Sequence, residues 1–323
     1  MPSNFDRSKK PEPHLELTST WACGRMCAYC PQSLFMSSSK ILKNNLKENN
    51  DFFPKYLSIE LIQKILKNIP VNTVIHWTGF AEPLDTKDFD KICNFFYEKK
   101  YKQIISTTLV GKPESKIFFK NNLEFFSSIS LHLPDNEGLM KGKFDDSYEA
   151  YLNEIVNKLI KNFKKNGQCK ITCFLIGDDW HASVKAPIQK LSKVLGDQVL
   201  QKAKFLNTRL KAINPDEFGK NKTKTQKKIS ENVTYGCTYK RMNHGVLLPN
   251  GSVSICCNDY GLKTILGNLQ FDHLNSLYNK IEQDPVTNAQ FSKGEFSGCL
   301  DCEHYRDIGK KSSTGRTILS VEE

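Results

Sequence analysis

An α/β fold of parallel strands with helices packed outside is the architecture this sequence predicts, and three observations predict it. Strand-like and helix-like segments alternate about six times between His14 and Leu210, a pattern that the connection rules for βαβ units turn into a parallel sheet. The composition is ordinary for a globular chain: 323 residues, 39% hydrophobic and 25% charged, enough for one large core and a small second domain. After Pro215 the chain shifts to a Lys/Thr/Asn/Gln-rich stretch over 219–232, and then to a segment carrying five of the eleven cysteines.

The elements follow in order. Residues 14–21 (HLELTSTW) alternate and are rich in β-formers, so they read as the first strand, running straight into the first cysteines. Residues 36–55 read as a polar inserted loop. Ser58 offers an N-cap to a helix in which Ile59, Ile62, Ile65, Leu66 and Ile69 recur at helical spacing. A strand over 73–77 leads into the turn Gly79-Phe80-Ala81-Glu82-Pro83 and a helix over 88–97, with Phe89, Ile92, Cys93 and Phe96 apolar. Strand 103–107, helix 114–121, strand 127–133, amphipathic helix 148–163, strand 170–176, helix 184–195 and strand 204–210 complete the alternation. Six such units make an open doubly wound sheet or a barrel short of full closure. The chain therefore divides into residues 1–215, the α/β unit; 216–234, a basic linker; and 235–323, a small metal-stabilised unit with a polar tail. In that last unit 274–281 has helical periodicity, and Asn250-Gly251 between two apolar runs is a hairpin signal.

No run of about eighteen apolar residues occurs, so no membrane span is expected. Residues 1–13 are polar and lack an apolar core, so a secretory signal is not expected and a cytoplasmic location is. The formal net charge is +11, mostly from scattered lysines, with a run at Lys220, Lys222, Lys224, Lys227 and Lys228. Such a run reads first as a solvated loop and second as attraction for an anionic partner. No nucleic-acid motif accompanies it, so no nucleic-acid partner is expected.

Cys23, Cys27 and Cys30 form a C-x3-C-x2-C array, CGRMCAYC. In a reducing compartment, clustered cysteines are metal ligands or catalytic groups rather than disulfides. Thiolates suit zinc or iron–sulfur clusters. Three on one short loop reach three corners of a cubane and leave the fourth iron open to a ligand. Structural zinc wants a fourth protein ligand, and the nearest candidate, His14, lies at the far end of the preceding strand.

This array resembles the signature of the radical S-adenosylmethionine (SAM) superfamily, and Tyr29 fills the aromatic position that the family favours before the third cysteine. The resemblance implies a partial (β/α)6 TIM-like barrel with a four-iron cluster in the loop after the first strand. The open iron would chelate the SAM amino and carboxylate groups. Reductive cleavage would give a 5′-deoxyadenosyl radical that abstracts hydrogen from substrate, fed by an electron donor such as flavodoxin or ferredoxin. Gly79-Phe80-Ala81-Glu82-Pro83-Leu84 resembles the family's glycine–glutamate motif, with one family glycine replaced by Ala81. There Gly79 would permit close approach of backbone to ligand, and a carboxylate such as Glu82 suits an ammonium. Weaker SAM contacts implied at strand ends are Thr107, Thr108, Ser130, His132 and Arg209. His132 is also open to a substrate or proton-transfer role, and the loop 132–139 would face the cavity.

Cys237, Cys256, Cys299 and Cys302 can close a second site, with the hairpin returning Cys256 beside Cys237. The thiols alone leave zinc and iron–sulfur open. The run Cys237…Pro249-Asn250-Gly251…Cys256…Gly267-Asn268-Leu269 resembles the SPASM auxiliary domain in its shortened "twitch" form, which implies a second four-iron cluster. Cys257 is a spare neighbour of Cys256.

Of the remaining cysteines, Cys93 lies on an apolar helical face. Cys169 and Cys173 share one face of the fifth strand. If that face points inward, Cys173 is a hydrogen donor to a substrate radical. The expected activity is therefore a radical SAM oxidoreductase acting on a small polar metabolite, a sugar or amino sugar, or on a peptide, with the auxiliary cluster accepting an electron. The alternatives are a redox-neutral epimerase or peptide maturase, and, from another class, a non-catalytic zinc-binding interaction protein.

Overall fold

The computed structural model describes residues 12–25, 27–46, 54–166, 169–202, 233–237, 244–262, 264–283, 305–311 and 317–318. The strands are β1 (His14–Leu17), β2 (Val74–Trp77), β3 (Gln103–Thr107), β4 (Phe126–Leu133), β5 (Lys170–Leu175), β6 (Leu200–Lys202), β7 (Val233–Cys237), β8 (His244–Leu247), β9 (Ser252–Ser254), β10 (Ile265–Asn268), β11 (Tyr305–Lys311) and β12 (Thr317–Ile318). The helices are α1 (Gln32–Leu46), α2 (Ile59–Ile65), α3 (Phe89–Glu98), α4 (Pro113–Asn121), α5 (Asp146–Asn166), α6 (Ala182–Leu195) and α7 (Leu274–Gln283).

β1 to β6 lie side by side in chain order, every neighbouring pair parallel. Their period-two alternation decides which side is covered. Leu15 and Leu17, Ile75 and Trp77, Ile105, Ile129 and Leu131, and Ile171 share one buried cluster with helix residues. Those include Ile62 and Ile65 of α2, Phe89, Ile92, Cys93 and Phe96 of α3, Phe119 of α4, Leu152, Ile155 and Leu159 of α5, and Val184, Ile188 and Leu191 of α6. Each fully buried aliphatic or aromatic side chain of this kind contributes roughly 1.5–3 kcal/mol. Because these helices cover one face, the sheet is a partial barrel rather than doubly wound. Alternation leaves Glu16, His76, Ser106, Ser130, His132, Thr172 and Phe174 on the opposite, inner face.

Local signals explain the boundaries. Ser58 accepts from Leu61 N–H as the N-cap of α2. Pro113 opens α4 at a position where its missing N–H costs nothing. His181 caps α6 by accepting from Ser183 N–H.

Three expectations change. Residues 36–46 are helical, part of α1, where a polar loop was expected. Phe35, Ser38 and Ser39 are buried on that helix, so beyond Phe35 its inward face turns small and polar and gives no continuous hydrophobic stripe. The sixth described strand is Leu200–Lys202, and the expected strand over 204–210 lies outside the described residues. Thirdly, the 244–268 segment joins the main sheet. β8 pairs in parallel with β1, His14 opposite His244 through Leu17 opposite Leu247, and carries β9 and β10 antiparallel beyond it. The Asn250-Gly251 hairpin is present, with Gly251 at φ 87°. β7, β11 and β12 form a separate three-stranded sheet. The lysine run at 220–228 lies outside the described residues, among which no helix is long and apolar enough to cross a membrane.

Candidate active site

The chain leaves β1 at Leu17, and the cysteine array follows within six residues, so it sits at the C-terminal ends of the parallel strands. The loop is held by side chains that the sequence did not flag. Gln32, buried at the start of α1, accepts from Cys23 N–H at 3.1 Å through Oε1. Its Nε2 donates to Phe80 C=O at 2.6 Å and reaches Cys30 Sγ at 3.4 Å. One amide thus staples the loop to the Gly79–Glu82 turn. Arg25 does the same on the other side. Its Nη1 donates to Asp85 Oδ2 at 2.7 Å and to Cys23 Sγ at 3.4 Å, while Nη2 donates to Asp85 Oδ1 at 3.2 Å and to Val110 C=O. A single arginine between two cysteines, CGRMC, was the available signal.

Cys27 is reached from the β4–α5 loop. Lys141 N–H donates to its sulfur at 3.3 Å, and Ala28 N–H donates to Leu139 C=O at 2.8 Å. That loop is organised by Asp135, which accepts from Glu137, Leu139 and Met140 N–H groups at 2.8–2.9 Å. Despite burial, those N–H groups hold the Asp135 carboxyl below its ordinary value. The loop thus lies against the cysteine array through Cys27 and Ala28. Burial pushes the Cys27 thiol above its ordinary 9.0; the Lys141 N–H and Tyr29 hydroxyl oppose this, and neighbouring Cys23 and Cys30 reinforce it. Tyr29 is buried with Met140 and Ile176, its hydroxyl on Cys27.

In the turn after β2, Gly79 has φ 53°, and a Cβ there would stand 2.5 Å from Thr18 Oγ1 and 2.7 Å from Leu17 C=O. The close approach that demands glycine here is to Leu17 and Thr18 at the end of β1. Phe80 and Ala81 are buried, with Phe80 packed on Phe35 and Tyr260. Glu82 is buried beneath the turn. Oε1 accepts from Thr107 Oγ1 and from Leu84 N–H at 3.3 Å; Oε2 accepts from Thr108 N–H at 2.9 Å and Oγ1 at 2.7 Å. Burial raises its carboxyl above the ordinary 4.5, against the pull of Arg25 and the two threonines. Thr107, expected at the cofactor, is thus spent on Glu82.

The inner face below these loops is polar. Ser106, Ser130 and Thr172 stand in register on β3, β4 and β5. His132 lies one step above, 5.2 Å from the Phe174 ring. His76 bonds Ser106 Oγ at 3.0 Å through Nε2. Burial, with His244, His14 and His132 nearby, lowers the His76 imidazole to about 4 against the opposing pull of Glu16. His14 is likewise lowered to about 4, by burial first and His244 second.

Cys173 is a correction. It pairs with Leu131 across β4–β5 and packs in the helix-covered core, almost fully buried. The face it shares with Ile171 is the outer one, so it cannot return hydrogen to a substrate on the inner face. Arg209, Cys299 and Cys302 lie outside the described residues, and of Cys237 the structure describes the strand alone. That strand sets Cys237 opposite Tyr305, three residues beyond Cys302 in the chain. Cys256 accepts from Asn258 N–H at 3.4 Å. Its neighbour Cys257 packs against the cluster of Phe35, Phe80 and Tyr260 that also contacts Cys30.

The three thiols suit a cluster bound through sulfur. They share one loop, influence each other electrostatically, and each sulfur meets a donor from the chain: Arg25 at Cys23, Lys141 N–H at Cys27, Gln32 at Cys30. Such hydrogen bonds tune iron–sulfur sites. Fold and site together define a class: an α/β partial barrel with a thiol site at the C-terminal mouth of its strands. No family model and no curated protein matches the chain. Among solved structures it is similar to BtrN in complex with AdoMet and 2-DOIA, at 12% identity and TM-score 0.49, over 96% of this chain and 99% of that one. It is also similar to anSMEcpe with bound AdoMet, at 17% identity and TM-score 0.47, over 91% and 84%. A third is Streptococcus suis SuiB bound to precursor peptide SuiA, at 15% and 0.47, over 90% and 69%.

Proposed function

We propose that this chain is a radical SAM enzyme that takes hydrogen from a small polar metabolite or a peptide. The observation that carries the reading is the donor set: Cys23, Cys27 and Cys30 on one loop at the strand ends, each sulfur already meeting a hydrogen-bond donor. Bound there, a four-iron cluster with SAM supplies reductive cleavage of the sulfonium to a 5′-deoxyadenosyl radical. The chain's own residues do the rest. Arg25 and Gln32 fix the loop against the second βα turn. Glu82, locked by Thr107 and Thr108, holds the backbone of that turn where an ammonium group would be received. Tyr29 and the 134–141 loop exclude water from one side of Cys27. Ser106, Ser130, Thr172 and His132 offer hydrogen bonds to a hydroxyl-rich or amide substrate on the inner face.

Oxidation is the favoured outcome, and Cys173, a candidate hydrogen donor only if its face pointed inward, gives the redox-neutral alternative no support because it faces the outer core. A second thiol-bound cluster from Cys237, Cys256, Cys299 and Cys302, in a twitch-like unit, is the proposed electron acceptor. A flavodoxin or ferredoxin is the proposed donor, in the cytoplasm. Anaerobic reconstitution tests the reading. The protein should turn brown, bind about eight irons if both sites are cubanes, and release 5′-deoxyadenosine from SAM under reduction. A colourless protein inert to SAM overturns it.

A further inference from the structure

The inner face holds a second group of side chains of metal-ligating type on its β1–β2–β8 side: Glu16 and His76 are the third of four residues in β1 and β2, and His244 is the first of β8. Glu16, His76 and His244 each present one ligand atom, and the three atoms lie within 4.8 Å of one another. Parallel pairing builds the group: Glu16 stands opposite His76 across β1–β2, while His244 stands opposite His14 across β1–β8. Glu16 is 3% exposed, and its Oε1 lies 2.6 Å from His244 Nε2. His76 is oriented by Ser106, whose hydroxyl engages Nε2. That leaves His76 Nδ1 buried with no hydrogen-bond partner. His14 stacks on His244 with ring centroids 5.0 Å apart and fixes its plane.

A buried ring nitrogen with no hydrogen-bond partner points to a ligand, and in the tautomer whose Nε2–H donates to Ser106 it offers its lone pair. Three imidazoles beside one carboxylate are a poor arrangement for a purely organic core, since protonated histidines repel one another and a neutral His76 leaves Nδ1 without a partner. A cation relieves both. We propose that Glu16, His76 and His244 bind one divalent first-row transition-metal ion, of the zinc or iron(II) class. Two imidazoles and one carboxylate are a known donor set for that class, with coordination positions left open, whereas calcium and magnesium prefer all-oxygen sites. The Ser106 hydroxyl holds the ligand ring, as outer-shell partners of metal-bound histidines do. The ion ties β8, from the C-terminal part of the chain, to the first two strands. It also presents a Lewis acid to the inner face. This site stands independently of the radical SAM reading.

Cobalt(II) titration of the chelator-washed full chain tests it, because cobalt bound by nitrogen and oxygen lacks the sulfur-to-metal charge-transfer band that cysteine sites give. The expected result is one equivalent bound without that band, competed out by zinc, and accompanied by a rise in thermal midpoint. Glu16→Gln and His76→Gln should each abolish this component, and Ser106→Ala should weaken it roughly 10–100-fold. Wild-type protein whose every bound cobalt carries the sulfur band overturns the proposal, whatever the variants do. So does a nitrogen/oxygen component that survives both Glu16→Gln and His76→Gln.

Discussion

Tyr260 Oη lies 3.5 Å from Cys30 Sγ, joining the turn after β9 to the cysteine loop across 230 residues of chain. The phenol sits in an aromatic group with Phe35 and Phe80, so it is positioned by packing and not by the thiol. As a free thiol Cys30 donates to the phenol oxygen; as a cluster-bound thiolate it would instead accept from the hydroxyl, and such a donor raises a cluster's reduction potential by stabilising the added negative charge. On the proposed function, Tyr260→Phe should therefore keep the fold and iron content while lowering the midpoint potential of the cluster proposed at Cys23, Cys27 and Cys30. Redox titration followed by electron paramagnetic resonance reads this, and an unchanged potential would show that the phenol does not engage the sulfur.

Gln32 bridges Cys23, Cys30 and Phe80 from a buried position. Gln32→Leu keeps similar bulk and removes every polar contact, leaving Cys23 N–H and Phe80 C=O without that partner. The expected cost is about 1–3 kcal/mol, the usual penalty for stranding buried polar groups. It should be visible as a lower urea midpoint and faster loss of iron.

Gly79→Ala should be costly out of proportion to one methyl group. The residue is at φ 53°, and the new carbon would press on Leu17 C=O and Thr18 Oγ1. Left-handed strain plus the clash predicts a loss on the order of 1–3 kcal/mol. Chemical denaturation measures it, and a neutral outcome would mean that β1 can yield at its C-terminal end.

Cys173→Ala should leave product and deoxyadenosine yields as they are, at a stability cost of about 1 kcal/mol typical of core truncation. Comparing the reaction products of the variant with wild type by mass spectrometry checks the first part. A switch in product stereochemistry or redox state would return Cys173 to the chemistry.

The acid sensitivity of the metal-free chain follows from the inner-face histidines. His76 and His14 are lowered from 6.5 to about 4 in the fold, so the unfolded chain binds more protons between those values. Their contribution is present above about pH 6.5 and is lost as pH falls through about 4. The His76 difference corresponds to on the order of 3 kcal/mol as an upper bound. Urea midpoints of chelator-treated protein should fall over that window, and His76→Gln should flatten the slope.

Much of this was legible in the sequence, for physical reasons. Strand residues such as Ile75 and Trp77, and helix residues such as Phe89, Ile92 and Phe96, carry a period that local chemistry alone fixes. The cysteine array was legible because its three thiols fall within eight consecutive residues, a short spacing that one loop can hold. Contacts decided by tertiary folding were not. Period two shows that Cys169 and Cys173 share a face, but the covering helices determine which face is inner. Gln32, Arg25 and Tyr260 matter through partners 48, 60 and 230 residues away. α1 was hidden because Ser38 and Ser39 bury surface without being apolar. The Glu16–His76–His244 group was invisible because no motif spacing links three strands that are brought together only by pairing.

The parallel pairing of β1 with β8 has a consequence for biosynthesis. β1 is made first, yet one of its edges receives its partner only when residues 244–247 emerge. Until then the nascent protein carries an unpaired strand edge, the kind of template on which chains associate wrongly. Closing so distant a pair is slow compared with local structure. Production of this protein should therefore respond more to temperature and chaperone supply during translation than its finished stability would suggest.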